Sequence, residues 1–502
     1  MIRDKQYYLD LFRVDEEILR ALAAEGIARG GDYTDLFFES STLGMLLLRD
    51  GEVTSGGRHL DYGVGIRVLN GEKTGYAYAE STARADMLSA ARAASAIAGG
   101  SAPANLRVND ILRSAHDRAD SFTEAASNGG RLVRRFFPGA PNPAADRYPF
   151  RQDWTATPMR DFVPFLNRLD QAVRAKDNRV DKVKAMLSYD VRDVLLFNSL
   201  EELKYDTRPL GTISVTVIFS QDGKIDTKSV SRSFRTGAEM LTDALLDELT
   251  AEVVKGVDER FAARRPKGGE MSVVMGAGAS GILLHEAMGH AFEADFNRKG
   301  QSIFSGKMGQ RICPEGIHIL DDATLRGNRG ALNFDDEGVP GQKTYMVEDG
   351  ILTSYLHDRI SARYFGVSPT GNGRRESFRY PPIPRMRATY MESGNADPEG
   401  IIASVRNGIY VDDFSNGQVK IGEGDFTFYV RSGFLIEDGR LTMPVKDVNI
   451  IGNGPRALSD IVAVGNDLRI DDGAWTCGKE QSAPVSCGIP TVLVSSLTVG
   501  GE

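Results

Sequence analysis

The chain has few histidines and cysteines, and it lacks long apolar runs. Its 502 residues include six histidines, three cysteines and two tryptophans. A small, odd number of cysteines in so long a chain argues against a disulfide framework and favours a reducing compartment. The lack of any apolar run of about eighteen residues argues against a membrane-spanning helix. We therefore expect a cytoplasmic protein that does not act in a membrane.

An excess of basic residues is also missing. The chain has 60 Lys and Arg against 69 Asp and Glu, which gives a formal net charge of −9. A protein that binds nucleic acid usually carries excess positive charge to neutralise phosphates, so nucleic acid is not expected as a partner. The length exceeds that of one typical domain, and 54 glycines with many short alternating segments indicate much β-structure.

Two domains of the α+β class are predicted. The sequence RRPKGG at 264–269 interrupts the periodic pattern and marks the boundary. We expect an N-terminal mixed α/β domain over residues 1–265, with an irregular insertion at about 121–158 that is rich in Gly, Pro and Arg. A β-rich C-terminal domain is expected to follow over residues 270–502.

Local patterns predict the first elements of the N-terminal domain. Apolar residues at helical spacing indicate helices at about 16–25 and 84–98. Alternating segments indicate short strands, with hairpin turns at Asp50-Gly51 and Asn70-Gly71. The predicted strands cover 35–39, 43–48, 63–69 and 75–80, and three more are expected within 184–220.

Two of the six histidines flank a glutamate in His285-Glu286-Ala287-Met288-Gly289-His290, inside a predicted helix of the C-terminal domain. Neutral imidazoles bind zinc well, and a carboxylate beside them can take a proton from a metal-bound water. The histidines are five residues apart rather than the common four, about 500° around an ideal helix. Both can bind one metal only if the helix is widened or ends there, and Gly289 stands where such a distortion is cheapest. We predict a metal site, with satisfied core histidines as the alternative.

A catalytic zinc needs a third protein ligand, and sequence spacing alone does not choose it. Glu293 lies three residues after His290. Cys477 has the most suggestive setting, because glycines on both sides permit close backbone approach and Lys479 favours a thiolate. The competing interpretation of Cys477 is an inert buried thiol. Other candidate ligands are Asp295, Asp321, Asp322, Asp335, Asp336, His318, His357, Cys313 and Cys487.

A glycine-rich loop lies at 370–377, TGNGRRES, and further arginines follow it. A phosphate cradle is one interpretation, but no GK[ST] pattern is present and no helix pattern follows directly. We favour a loop that borders a cleft, with Gly371, Asn372, Gly373 and Arg374 as candidate substrate-binding residues. A purely structural turn is the alternative.

Several longer motifs resemble one protein family. The TldD branch of the TldD/PmbA family has, in the same order, motifs similar to GILLHEAMGHAFEADFNRKGQSIFSGKMG, DDEGVPGQKTYMVEDGIL, SPTGNGRRESF and TCGKEQSAPV. The N-terminal DLFFES and GVGIRVLNGEKTGYAYAE resemble the same branch. Two features depart from the family pattern: the insertion at 121–158, and Cys487 as a second cysteine near Cys477.

The resemblance implies a zinc metallopeptidase that hydrolyses unfolded or small peptides. One zinc ion per chain would be bound by His285, His290 and Cys477, with Glu286 as general base on a zinc-bound water. The chain would form a dimer, either with an inactive TldE/PmbA-type paralogue or with itself. Two alternatives are a non-catalytic modulator or binding subunit that acts through protein contact, and a metal hydrolase that acts on a non-peptide amide.

Overall fold

The computed structural model describes residues 3–99 and 146–501. Most of the insertion predicted at 121–158 therefore lies outside the described residues. Its described part, 146–158, contains no helix or strand, as expected for an irregular segment.

A six-stranded antiparallel sheet forms the N-terminal part of the chain, in the order β3-β2-β1-β4-β5-β6. The predicted strands at 35–39 and 43–48 are in fact one strand, because β1 pairs with β2 and β4 along almost its whole length. Two strands, not three, cover 184–220. The strands are β1 (Tyr33–Arg49), β2 (Glu52–Asn70), β3 (Lys73–Ala79), β4 (Val180–Asn198), β5 (Leu203–Gln221) and β6 (Lys224–Phe234).

Helices cover one face of this sheet. One apolar cluster joins the first three helices to Leu36, Ile66 and other side chains of β1, β2 and β4. A second cluster joins the next two helices to Leu46, Leu187 and their neighbours on the same face. The helices are α1 (Lys5–Phe12), α2 (Glu16–Ile27), α3 (Arg84–Ala98), α4 (Val163–Lys176), α5 (Asp243–Val254) and α6 (Val257–Ala262). The predicted helices at 16–25 and 84–98 are confirmed.

The predicted hairpin turn at Asp50-Gly51 is confirmed. Asp50 and Gly51 connect β1 to β2 with φ values of 49° and 81°. Both residues of a two-residue turn of this kind need positive φ, which aspartate tolerates and glycine adopts without strain. The second hairpin is also present, but its turn lies one residue later than predicted: Asn70 ends β2 and pairs with Lys73, so Gly71 and Glu72 connect β2 to β3.

The C-terminal part is rich in short strands, and its helices are short. The helices are α7 (Ile282–Leu284), α8 (Ala294–Arg298), α9 (Arg359–Phe365), α10 (Pro398–Ala403) and α11 (Gly454–Ser459). The strands are β7 (Gly269–Met275), β8 (Ile319–Asp322), β9 (Lys343–Glu348), β10 (Ile351–Leu352), β11 (Gly373–Arg374), β12 (Ile383–Pro384), β13 (Ala388–Met391), β14 (Asn407–Val419), β15 (Asp425–Glu437), β16 (Arg440–Pro444), β17 (Val448–Asn453), β18 (Ile461–Val464), β19 (Arg469–Ile470), β20 (Thr476–Lys479), β21 (Gln481–Pro484), β22 (Ser486–Ile489) and β23 (Val492–Gly500). The predicted α+β class is confirmed.

Five of these strands pair in a closed ring. The order is β14-β7-β23-β17-β15, and β15 pairs back with β14. Apolar side chains from these strands form one core with Leu283 and Leu284, just before the histidine motif, and with Met288 inside it. A second sheet, β10-β9-β8-β13-β22-β19, and two hairpins, β11/β12 and β20/β21, complete this part. This apolar core therefore holds the histidine motif against the closed ring of strands.

Buried ion pairs join the two parts of the chain. Arg67 on β2 lies between Asp35, at 2.5 Å, and Glu337, at 2.6 Å, and all three side chains are fully buried. Arg375 contacts the other oxygen of Asp35 at 3.2 Å. Because Glu337 and Arg375 belong to the C-terminal part, these contacts cross from the N-terminal sheet to the C-terminal domain.

Replacing Arg67 with methionine is expected to destabilise the protein by about 3–5 kcal/mol, because buried Glu337 loses its counter-charge and buried Asp35 keeps only Arg375. Denaturant unfolding measures the change. Arg92→Met in α3 is the control, since Arg92 forms an exposed ion pair with Glu25 at 3.0 Å. Its effect should stay below about 1 kcal/mol. Equal effects of the two substitutions would show that the Arg67 pairs contribute no more than surface charges.

Candidate metal centre

The histidine motif contains the local widening that its spacing requires. After a 3-10 turn at Ala279–Gly281 and the short α7, a π-helical turn covers His285–Gly289, and a 3-10 turn covers His290–Phe292. A π turn connects residues five apart, so side chains at that spacing lie on the same face. The rings of His285 and His290 have centroids 5.3 Å apart. The prediction of a locally widened helix is confirmed.

Gly289 has a different role from the one expected. Its backbone has ordinary helical angles, φ −55° and ψ −48°. A Cβ at this position would lie only 2.0 Å from Sδ of Met386. Met386 is fully buried, so it cannot move aside into solvent. Glycine is needed here because another side chain packs directly against the backbone, and not because the turn needs its conformational freedom.

Gly289→Ala is expected to destabilise the protein by about 1–3 kcal/mol through overpacking and to reduce bound metal. Unfolding curves and zinc content measure the two effects. Gly478→Ala is the matched control beside Cys477, because a Cβ there meets no atom within 4 Å. Adding Met386→Ala to Gly289→Ala should recover part of the loss. Normal zinc content and stability in Gly289→Ala would contradict the steric argument.

The β20/β21 hairpin brings a cysteine to the two histidines. Cys477 lies in β20 opposite Ala483, and its Sγ is 3.1 Å from Nε2 of His290. Nη2 of Arg385 donates to the Cys477 carbonyl at 2.7 Å and fixes the strand. His285, His290 and Cys477 are all buried, and their ligand atoms all lie within 4.8 Å of one another. These three side chains are therefore close enough to bind one ion together.

The other candidate ligands do not join this group of converging atoms. Asp321 accepts hydrogen bonds from Asn372 and from the backbone N–H of Arg387. His357 contacts Ser361, and His318 accepts from the N–H of Asp349. Among the residues that the structure describes, the group of converging ligand atoms includes none of the remaining candidates, Glu293, Asp295, Asp322, Asp335, Asp336, Cys313 and Cys487.

The three cysteines differ in charge. Burial raises the pKa of Cys477, but the rings of His285 and His290 outweigh it and lower that pKa to about 4. Burial raises the pKa of Cys313 to about 12 and that of Cys487 well above the usual value. Only a thiolate is a good metal ligand, so Cys477 has the right charge state near neutral pH and the other two cysteines do not.

Glu293 supports His290 from the side opposite to Cys477. Its Oε2 lies 3.0 Å from Nδ1 of His290 and 3.0 Å from Nζ of Lys479. Burial alone would raise the pKa of Glu293, but Lys479 and His290 lower it to about 2. A carboxylate on Nδ1 holds the proton there and leaves Nε2 free to bind a metal. Lys479 thus acts on Glu293 and Asp295, and not on the Cys477 thiolate as expected from the sequence.

Glu293→Gln is expected to weaken metal binding by about 10–100-fold, because His290 loses its charged partner. Competition with a chromophoric chelator measures the affinity. Asp295→Asn is the matched control: Asp295 also contacts Lys479, at 2.7 Å, but it is not bonded to either histidine. A larger loss of affinity in Asp295→Asn than in Glu293→Gln would show that Lys479, and not the His290 contact, controls the site.

Glu286 lies at the open side of this cluster. Its Oε2 is 3.8 Å from Nε2 of His290, the nitrogen that faces Cys477. The Glu286 side chain is 23% exposed, whereas the His290 side chain is 6% exposed. Solvent therefore reaches the cluster beside a carboxylate that can accept a proton.

The structure does not support substrate contacts by the glycine-rich loop. Gly371, Asn372, Gly373 and Arg374 are all buried. The Asn372 amide donates to Asp321 and to the Arg385 carbonyl, and Arg374 donates to the carbonyls of Met386 and Pro484. Through Pro484 the loop supports the hairpin that carries Cys477. Contacts with residues distant in the sequence bury these polar groups, whereas the glycine-rich pattern alone predicts that they are exposed.

The residues of the cluster fit a zinc ion. Both ring nitrogens of His285 are buried, and neither has a hydrogen-bond partner among the described residues. A buried polar atom without a partner is costly, and a metal would satisfy one of these nitrogens. Two imidazoles and one thiolate are also a donor set that zinc prefers, with a fourth position left for water.

Family profiles match most of the chain. The profile of the PmbA/TldA metallopeptidase C-terminal domain matches residues 268–501, that of the central domain matches 153–264, and that of domain 1 matches 34–98. The region that was predicted as one N-terminal domain is thus matched by two profiles, although its strands share one sheet.

Curated relatives cover nearly the whole chain. A metalloprotease TldD homolog of Haemophilus influenzae is 37% identical over 94% of both chains. A zinc metalloprotease TldD homolog of Saccharolobus solfataricus is 31% identical over 58% of this chain and 65% of its own length.

Solved structures share the fold. A putative modulator of a DNA gyrase from Thermotoga maritima superposes with a TM-score of 0.73 at 21% identity, covering 98% of this chain and all of that one. TldE from Thermococcus kodakarensis superposes with a TM-score of 0.70 at 18% identity, covering 97% of this chain and 99% of that one. Within the described residues, no helix combines the length and apolar character needed to cross a membrane.

Proposed function

Because the chain belongs to the PmbA/TldD metallopeptidase family, we propose that it is a zinc peptidase that hydrolyses peptide bonds in unfolded or small peptides. The observation that carries the proposal is the convergence of His285, His290 and Cys477 within 4.8 Å, with the Glu286 carboxylate at the exposed side. These four residues provide the metal ligands and the proton acceptor that peptide hydrolysis needs.

His285, His290 and the Cys477 thiolate would hold the metal. A bound zinc ion supplies Lewis acidity, which activates water and polarises the peptide carbonyl. The Cys477 thiolate would offset one unit of the charge of a bound zinc ion, so a water on that ion would be less acidic than at a site of three neutral histidines. A proton acceptor beside the site is therefore more important here.

Glu286 is assigned the proton transfers. Its Oε2 accepts the proton of the attacking water and then returns it to the leaving nitrogen of the peptide. Glu293 holds the proton of His290 on Nδ1, and Lys479 keeps the Glu293 carboxylate in position. The reaction needs Cys477 as a thiolate, which favours a reducing compartment such as the cytoplasm.

A non-catalytic modulator is the second candidate function, because a structural relative is described as a putative modulator of a DNA gyrase. A binding subunit would not need Glu286 between two buried histidines that face a thiolate. The presence of this complete set favours catalysis. For assembly, we propose a dimer with a TldE-type paralogue or with itself, since TldE from Thermococcus kodakarensis has the same fold.

The test combines metal analysis with cleavage of an unfolded peptide, on the chain alone and then with a TldE-type paralogue added. We expect about one zinc per chain, cleavage that a chelator abolishes, and recovery when zinc is added back. Activity that appears only with the paralogue would assign catalysis to the assembly. Cleavage that persists without metal would contradict the proposal, and zinc binding with no cleavage under either condition would favour the modulator.

A further inference from the structure

A small polar cavity lies between the N-terminal sheet and the C-terminal domain, and none of the proposed metal ligands lines it. Its volume is about 30 Å³, and its lining includes Glu39 on β1, Arg192 on β4, Arg235 after β6 and Arg374 on β11. One water needs about 10–15 Å³, so the cavity has room for an occupant somewhat larger than a single water molecule. In total, five arginines and three carboxylates line it.

Three of the five arginines have carboxylate partners. Arg192 binds Asp190 at 2.7 Å, Arg208 binds Asp336, and Arg375 binds Asp35 at 3.2 Å. Arg235 and Arg374 form no ion pair with any described residue. Both of these guanidinium groups are buried, with relative exposures of 6% and 4%. The positive charge around the cavity is therefore incompletely balanced.

Of the five arginines that line the cavity, Arg235 has the most N–H donors without a described acceptor. Its Nε donates to the Arg329 carbonyl at 3.2 Å, and its guanidinium lies 5.6 Å from the centroid of the Tyr148 ring. Its two Nη groups donate no hydrogen bond to a described residue. Arg374, by contrast, uses both Nη groups on the carbonyls of Met386 and Pro484. Burial lowers the pKa of Arg235 to about 10, which reflects a charge without a close counter-ion. A buried guanidinium is costly unless it is paired and hydrogen-bonded.

We propose that this cavity binds a small monovalent anion, such as chloride, on the free Nη groups of Arg235. The cavity volume suits a single-atom anion, and Arg192, Arg208 and Arg374 supply further positive potential around it. Glu39 opposes the anion only in part, because its carboxylate lies 3.7 Å from Arg192 and burial raises its pKa to about 7.

The anion would also stabilise the β20/β21 hairpin, which carries Cys477. Arg374 holds the carbonyl of Pro484 at 2.8 Å, and Pro484 lies opposite Thr476 in the hairpin that carries Cys477. A counter-charge in the cavity reduces the cost of keeping Arg374 charged in this buried position. The inference does not depend on peptidase activity, because both of its tests measure binding.

The first test compares thermal unfolding in sodium chloride and in sodium gluconate at equal ionic strength. A ligand that binds the folded state raises Tm with its concentration until the site is saturated. We expect a saturable rise with chloride, no such rise with gluconate, and loss of the difference in Arg235→Gln. Arg92→Gln, at an exposed position of α3, should keep it.

The second test uses the wild-type protein, so it remains decisive if Arg235→Gln does not fold. Crystals grown with bromide in place of chloride should show an anomalous peak in the cavity, within hydrogen-bond distance of Arg235. Equal melting curves of the wild type in the two salts, or a cavity that holds only water in the bromide crystals, would overturn the proposal.

Discussion

Replacing Glu286 with glutamine is expected to leave zinc bound and to lower kcat by about 10²–10⁴-fold, the usual contribution of a general base. Glutamine has nearly the same shape but cannot accept the proton of the attacking water. The metal ligands keep their environment, because Glu286 lies at the exposed side of the cluster and 3.8 Å from His290. Zinc content and peptide cleavage, measured on the same sample, separate the two effects.

Two further variants make the Glu286 result decisive. Glu348→Gln, on the exposed surface of β9, controls for the loss of one carboxylate. His285→Ala should lose both zinc and activity, because it removes a ligand and not a proton acceptor. A Glu286→Gln protein with wild-type kcat would overturn the assignment of Glu286 as the base, and one that lost its zinc would place Glu286 among the ligands.

Cys477→Ser is expected to weaken zinc binding by more than about 100-fold, beyond the effect of removing a residue that only supports a ligand. A serine hydroxyl stays protonated near neutral pH and cannot supply the charged sulfur that zinc prefers. The rings of His285 and His290 also lose the negative charge that faces them. Chelator competition at constant pH gives the affinity, and activity should fall in parallel.

Cys487→Ser is the matched control for this substitution. Cys487 lies in β22, is buried to a similar extent, and has a raised pKa, so its thiol stays neutral. Its replacement should leave zinc affinity unchanged. The metal-free forms of both variants should melt at similar temperatures if the Cys477 effect arises from the metal. Full zinc affinity in Cys477→Ser with loss in Cys487→Ser would assign the ligand to Cys487.

Local features of the site were predictable from the sequence. The five-residue spacing of His285 and His290 required a widened helix, and a π turn is present at that place. Hairpin turns such as Asp50-Gly51 were likewise evident, because turn geometry depends on a few adjacent residues. Spacing and turn chemistry are local properties, so one sequence is enough to interpret them.

Features that depend on distant partners were not predictable from local patterns. The pattern divides β1 in two because Ser40, Ser41 and Thr42 interrupt its apolar residues, whereas pairing with β2 and β4 keeps the strand continuous. Arg374 was expected at a cleft, but the carbonyls of Met386 and Pro484 hold it inside the domain. Cys477 was assigned by family resemblance, since spacing left several ligands open.

The distance in sequence between Cys477 and His290 has a consequence for synthesis of the protein. The two residues are 187 positions apart, although their side chains are in contact. A ribosome must therefore add 187 residues after the histidine motif before the third proposed ligand exists. The hairpin that carries it must then pack against the rest of the domain. A growing chain therefore cannot assemble the proposed peptidase site until position 477 of its 502 residues has been added.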